Sequence, residues 1–338
     1  MRKPTRKREV GRGERVLPGV WRLRLPLPWP GVPHCNAWAL AAGDGVVLVD
    51  TGMHEPGSMA HLERALDQAG LAVEHVRLLV CTHAHVDHCG EAPRIRERAG
   101  CEVWIHPAHG HLTRTGGVDA DQALARRVEV ARQSGVPEAP LRRWAEQRRA
   151  SGSGLYGELI ADRDLVPGVT VATDLGDWQV IETPGHAPSH VCLHQPERRL
   201  LISGDHLLGR VSPYFDYGHT PDPVGEFLGS LDAVAGLDAR LALAGHGRTF
   251  TDVAAHITAN RVFIAERLEE VRAALEQEPA HPATAYDLAR RIHGDAYSED
   301  TASWLLTQTL SLLDHLELRG EARRHEPGAA GEPEIWSA

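Results

Sequence analysis

No apolar run in this chain approaches the roughly 18–20 residues needed to cross a bilayer, so a helical membrane span is not expected. Aromatic residues make up 5% of the sequence and there are three Met, so a Met-rich or aromatic recognition surface is not its signature. The five cysteines are an odd number with no framework spacing, which argues against a disulfide scaffold and favours a reducing cytoplasm. There is no excess of positive charge: 36 Lys and Arg face 46 Asp and Glu, a formal charge of −10. General attraction to nucleic acid or to an anionic membrane is therefore not expected. Basic residues gather only at the start, where Arg2, Lys3, Arg6, Lys7, Arg8, Arg12 and Arg15 outnumber Glu9 and Glu14. Without the apolar core of a secretory signal, residues 1–16 read as a disordered basic tail. Residues 325–338, rich in Gly, Ala, Pro and Glu, read as a second loose tail.

Histidine, in contrast, is abundant, with 21 in 338 residues. Four metal-binding side chains fall within the run His83-Ala84-His85-Val86-Asp87-His88. The apolar stretch Val76 to Thr82 before it reads as a buried strand, and Cys89 to Gly100 after it as a helix. His83 and His85 alternate and so point the same way. Asp87 and His88 enter the helix's first turn from the other side, so one loop can serve two adjacent ions. Imidazole with carboxylate suits Zn, Fe or Mn better than Mg or Ca.

Histidine pairs arise by chance in so His-rich a chain, so the weight falls on three further strand ends. Val180 to Thr183 leads into Pro184-Gly185-His186, Leu200 to Gly204 into Asp205, and Leu241 to Gly245 into His246. In each, an apolar strand stops, a Gly lets the backbone turn, and one ligand-type side chain is presented.

At this point the chain resembles the metallo-β-lactamase superfamily, over roughly residues 20–250. The resemblance implies an α/β fold, a four-layer αββα sandwich with two divalent ions at one edge, most simply Zn, with Fe or Mn as options. It implies that His83, His85 and His186 hold one ion, that Asp87, His88 and His246 hold the other, and that Asp205 bridges them. Asp50, in Val-Leu-Val-Asp-Thr-Gly, matches an aspartate that supports the loop without being a ligand. The ligand set, with Asp87 and Asp205 and no cysteine, is similar to the glyoxalase II-like branch. Cys81 and Cys89 flank the loop but read as small core residues. A metal-bridging hydroxide would attack an acyl centre, with Asp87 orienting it and relaying its proton. His206, Tyr214, Tyr217 and His219 follow Asp205 in sequence; Tyr217 and His219, with His206, are the candidates for substrate contact.

A metal-dependent hydrolase of a small-molecule thioester or ester is the leading reading. Lactone opening is weakened by Leu208, where lactonases of the superfamily carry tyrosine. Ribonuclease or phosphodiesterase activity is the runner-up, disfavoured by the charge; a di-iron redox role has no independent support, and a purely binding role is disfavoured because every ligand position is filled.

The organisation expected is a catalytic domain over 17–250 with a helical insertion at about 107–165, where Asp121 to Gln133 and Pro140 to Ala150 look helical. The Arg run of the second helix (Arg142, Arg143, Arg148, Arg149) reads as a solvated face. Residues 251–324 read as a winged-helix-like appendage: a helix over Asp252 to Glu278, a linker at Pro279 to Pro282, a helix over Ala283 to Ile292, a Leu-striped helix capped by Ser298, and a wing at Leu318 to Arg324. Its acidic balance favours a structural, homodimerising or pocket-closing role over nucleic-acid recognition.

Overall fold

A computed structural model describes residues 10–29, 31–111, 120–277, 282–327, 329 and 331–338. Two sheets carry the molecule. The first has seven strands in the order β1 (Arg12–Leu17), β2 (Val20–Pro26), β3 (His34–Ala42), β4 (Gly45–Val49), β5 (Val76–Val80), β6 (Glu102–Ile105) and β7 (Arg163–Asp164). The second runs β12 (Leu241–Ala244), β11 (Leu200–Gly204), β10 (Val191–Gln195), β9 (Gly176–Glu182) and β8 (Thr170–Thr173). In the first sheet β4, β5 and β6 are parallel, joined by helical crossovers, as parallel pairing requires. In the second, β11 and β12 are parallel, and β9, two antiparallel pairings from β11, runs the same way.

The layers follow from which faces are apolar. Trp38, Leu40, Val47, Val49 and Val80 of the first sheet pack against Trp178, Val180, Val191, Leu193, Ile202 and Leu243 of the second. The other face of the first sheet is covered by α1 (Ser58–Gln68) and α3 (Ala92–Ala99), through Met59, Leu62, Leu66 and Ile95. The other face of the second is covered by α6 (Pro223–Ala235) and α7 (Val253–Glu276), through Phe227, Leu231, Val234 and Ile257. The result is the expected four-layer αββα sandwich. A short helix α2 (Val86–Cys89) follows β5. The insertion holds α4 (Ala120–Gln133) and α5 (Glu138–Ala150).

Beyond the sandwich lie α8 (Ala285–His293), α9 (Ala302–Leu318) and the ribbon β13 (Arg323–His325) with β14 (Ile335–Ser337). Four expectations change here. Arg12–Leu17 is not tail but an edge strand registered on β2, with Gly13 packed so closely on α1 that an added Cβ would lie 2.0 Å from the Ala65 carbonyl oxygen. Residues 1–9 and most of the linker lie outside the described residues. The C-terminal segment is likewise not wholly loose: β14 pairs with β13, and Trp336 is 1% exposed. The ribbon therefore spans 323–337, because α9 runs to Leu318 and consumes the start of the expected wing. Ser298 sits in the turn before α9, whose N-cap is Thr301.

Candidate metal centre

Each strand end named above opens at one edge of the sandwich. The loop after β5 carries His83 and His85, and α2 carries Asp87 and His88; His186 follows β9, Asp205 follows β11, and His246 follows β12. All three of the latter strands point the same way, which is why residues far apart in sequence meet.

The inward atoms form two groups sharing Asp205. His83 Nε2 and His186 Nε2 lie 3.1 and 3.0 Å from His85 Nδ1. His246 Nε2 lies 3.2 Å from Asp87 Oδ2, 3.1 Å from Asp205 Oδ2 and 3.4 Å from His88 Nε2. Asp205 also reaches the first group, its Oδ2 being 3.6 Å from His186 Nε2.

The outward nitrogens say how the rings are protonated. His186 Nδ1 donates to the Tyr214 carbonyl at 3.1 Å, and His246 Nδ1 to the His34 carbonyl at 2.9 Å. His88 Nδ1 donates to Asp50 Oδ2 at 2.8 Å, and His83 Nδ1 to the Thr82 hydroxyl at 3.0 Å. With the outer nitrogen carrying the proton, the inner one presents a lone pair. Lone pairs facing one another at about 3 Å repel unless a cation lies among them, so this donor set fits divalent ions. Burial, then neighbouring rings, holds His83 well below the usual histidine range, and burial holds His186 to about 4. For His246 burial also opposes charge, but Asp205 and Asp87 outweigh it and raise the ring to about 10. Burial likewise opposes ionisation of Asp87 and Asp205, yet the cationic rings beside them hold both well below the carboxylate range. At the Asp205 end the two carboxylates supply the negative charge that a proton on His246, or a metal ion in its place, offsets.

Asp50 lies beneath the metal loop, against Thr82 and His88. It is buried at φ 63°, and its carboxylate accepts from His88 Nδ1, from the Thr82 amide at 2.8 Å and from the Thr82 hydroxyl. Two supports were not visible in the sequence. Asn36 of β3 donates to the carbonyls of Ala244 and Gly247 at 2.8 and 3.1 Å, bracketing His246. His190 accepts from the Asp205 amide at 3.0 Å, and its other nitrogen bonds the Thr183 hydroxyl at 2.7 Å. The glycines are enforced sterically: a Cβ on Gly245 would lie 2.2 Å from Asp205 Oδ1, and one on Gly204 2.5 Å from His190 Nε2.

The substrate-contact candidates divide. His206 is buried against the Phe227 ring, 4.6 Å between centroids, and does not face the centre, because the chain reverses after Asp205. Tyr217 packs into the cluster under the C-terminal helices, near Asp314 and Arg324, and does not face the centre either. His219 does come close, 3.6 Å from Asp216 Oδ2. Two residues missed in the sequence join it: Asp216, 3.3 Å from His85 Nε2, and His111, whose ring burial holds to about 4. Tyr214 stands at the rim, its ring centroid 5.8 Å from that of His186. Cys81 and Cys89 are buried away from the donor groups, and burial pushes the Cys89 thiol up to about 12.

The fold and this centre define a metal-dependent hydrolase. The chain belongs to the metallo-β-lactamase superfamily, whose family model matches residues 30–246. A metallo-β-lactamase family protein of Thermus thermophilus superposes with a TM-score of 0.78 at 28% identity, over 96% of this chain and 99% of that one. The probable metallo-hydrolase YqjP of Bacillus subtilis is 25% identical over 88% of this chain and 92% of its own length. The human acyl-coenzyme A thioesterase MBLAC2 is 26% identical over 64% of this chain and 74% of its own. Members of the superfamily typically hold two divalent ions.

Proposed function

We propose that the chain is a dinuclear hydrolase of small-molecule thioesters, of the glyoxalase II-like kind. The observation that carries the reading is the convergence of five imidazole nitrogens and two carboxylates, four of the rings tethered by the distal nitrogen to a neutral oxygen or to Asp50 and the fifth, His85, bonded to Asp216. On this reading His83, His85 and His186 hold one ion, Asp87, His88 and His246 the other, and Asp205 both. Two divalent ions, when bound, supply Lewis acidity and lower the pKa of water from about 15.7 towards about 7. Asp87, buried between His88 and His246, would orient an attacking water and carry its proton to the leaving group. The likeness to an acyl-coenzyme A thioesterase supports an acyl substrate.

The same reading takes α8, α9 and the ribbon, residues 285–337, as a winged-helix-like appendage that closes the pocket. Its contacts support this: Gln308 of α9 donates to the Pro213 carbonyl beside Tyr214, and Trp304 meets Trp29 edge-on at 6.4 Å. A cytoplasmic setting is supported by five buried, unpaired cysteines. No helix among the described residues is long and apolar enough to cross a membrane.

The test is a substrate screen of zinc-loaded and chelated protein against acyl thioesters, lactones, β-lactams and short RNAs, with metal analysis alongside. At least two equivalents per chain and metal-dependent thioester turnover are expected. Cleavage confined to RNA or lactones would displace the thioester assignment, and a chain that takes up no metal would remove the dinuclear one.

A further inference from the structure

We propose that His111, Asp216 and His219 form a third transition-metal site, on the far side of His85 from the dinuclear centre. The inference rests on the dinuclear reading in one respect: His85 spends Nδ1 on that centre, which leaves its Nε2–H to donate to Asp216 Oδ2 at 3.3 Å.

Around that same carboxylate oxygen stand two more imidazole nitrogens, His111 Nε2 at 3.7 Å and His219 Nε2 at 3.6 Å. The two rings are themselves neighbours, 5.2 Å between centroids. Neither distance is a hydrogen bond, for which 3.6 Å is already too long. Both are near the edge of a coordination tetrahedron, since ligands about 2.0–2.1 Å from one zinc lie roughly 3.4 Å apart.

His111 supplies the independent observation. Its side chain is 4% exposed, and its Nδ1 donates to the Ala108 carbonyl at 2.9 Å. The lone pair is therefore on Nε2, which is buried without a hydrogen-bond partner among the described residues. A buried acceptor aimed at a carboxylate, with no proton to share, is unfavourable until a cation sits between them. Two imidazoles and a carboxylate are a donor set used for Zn and Fe, with coordination positions left open, and the His111 and Asp216 donor atoms lie within 4.8 Å of each other and of His85. His219 is 30% exposed, so those positions face solvent at the mouth of the centre. Such an ion would bind an anionic group on an incoming substrate. His85, bonded to Asp216 on one side and belonging to the dinuclear centre on the other, links the two sites.

The experiment is equilibrium dialysis of the full chain against excess Zn²⁺, followed by elemental analysis, for wild type, His111→Ala, His219→Ala and His246→Ala, with circular dichroism to confirm folding. Wild type should bind three equivalents. His111→Ala and His219→Ala should each bind two; His219 lies on a loop, so its variant keeps the test sound if His111→Ala does not fold. His246→Ala should fall below three while a further His111→Ala change lowers it again. Saturation of wild type at two equivalents, or a third equivalent that survives both single variants, would overturn the third site and leave the dinuclear reading standing. Saturation at one or none would overturn the dinuclear reading itself.

Discussion

His88 is gripped from both ends by aspartates that do different work. Asp50 Oδ2 takes the proton on Nδ1 at 2.8 Å, while Asp205 Oδ1 and Asp87 Oδ2 each stand 3.5 Å from Nε2, on the side where an ion belongs. The difference makes a paired prediction. Asp205→Asn preserves shape but removes the charge shared by the two groups, so one metal equivalent of the dinuclear centre and most hydrolysis should be lost. Asp50→Asn should keep both metals and reduce turnover by only about 10- to 100-fold, the usual scale for a group that orients a ligand. Metal counts relative to wild type and initial rates on both variants decide it; an Asp205→Asn protein with the wild-type metal count and normal turnover would require a redrawn ligand set. At this scale the sequence was informative wherever a ligand followed a strand and a glycine. It was silent on Asn36, His190, Asp216 and His111, which sit in no such motif and matter only through what they touch.

Among the elements, the C-terminal ribbon departs furthest from its sequence. Gly, Ala, Pro and Glu around residues 326–334 suggest a loose tail, yet Ile335–Ser337 pairs with Arg323–His325, and Trp336 also bridges to Ala283. The Arg324 guanidinium lies 4.6 Å over the Trp336 ring, and its charge is met by Asp314 and Glu317 of α9. One aromatic thus ties ribbon, α8 and α9 together. Trp336→Ala should cost about 3–5 kcal/mol of stability, the range for emptying a buried aromatic site. Urea unfolding would show it as a fall in midpoint; a change below about 0.5 kcal/mol would mean that the segment is no part of the folded unit. Three residues are too few to announce a strand by periodicity, so pairing, not propensity, makes this one.

For the whole molecule, buried neutral histidines set the response to acid. Burial, followed by the nearby His186, holds His206 to about 3, and burial followed by Arg24 holds His34 to about 4. In the unfolded chain both would titrate near 6.5. As pH falls below that value the unfolded state gains protons that the folded state refuses, so stability declines from about pH 6.5 down to the folded values. A fully buried ring such as His206 contributes a slope of up to about 1.4 kcal/mol per pH unit. Denaturation curves at pH 7.5, 5.5 and 4.5 should show that fall well above the carboxylate range, and His206→Gln should flatten it. An unchanged midpoint between pH 7.5 and 5.5 would contradict the burial of these rings.

The apolar strands, the glycines that end them and the ligand-type side chain after each are local facts, and they marked the candidate donor residues, while the sandwich and the edge where these meet were expected through the family resemblance. The donor residues could be marked because strand alternation and turn chemistry are encoded within a few neighbours. The tertiary structure alone decided which of the residues after Asp205 face the centre. The chain reverses there, burying His206 on Phe227 and Tyr217 under α9, and turning Asp216 and His219 towards His85 and His111, more than a hundred residues away. No periodicity spans such a distance; it is set by how the insertion and the C-terminal helices pack over the open edge of the two sheets.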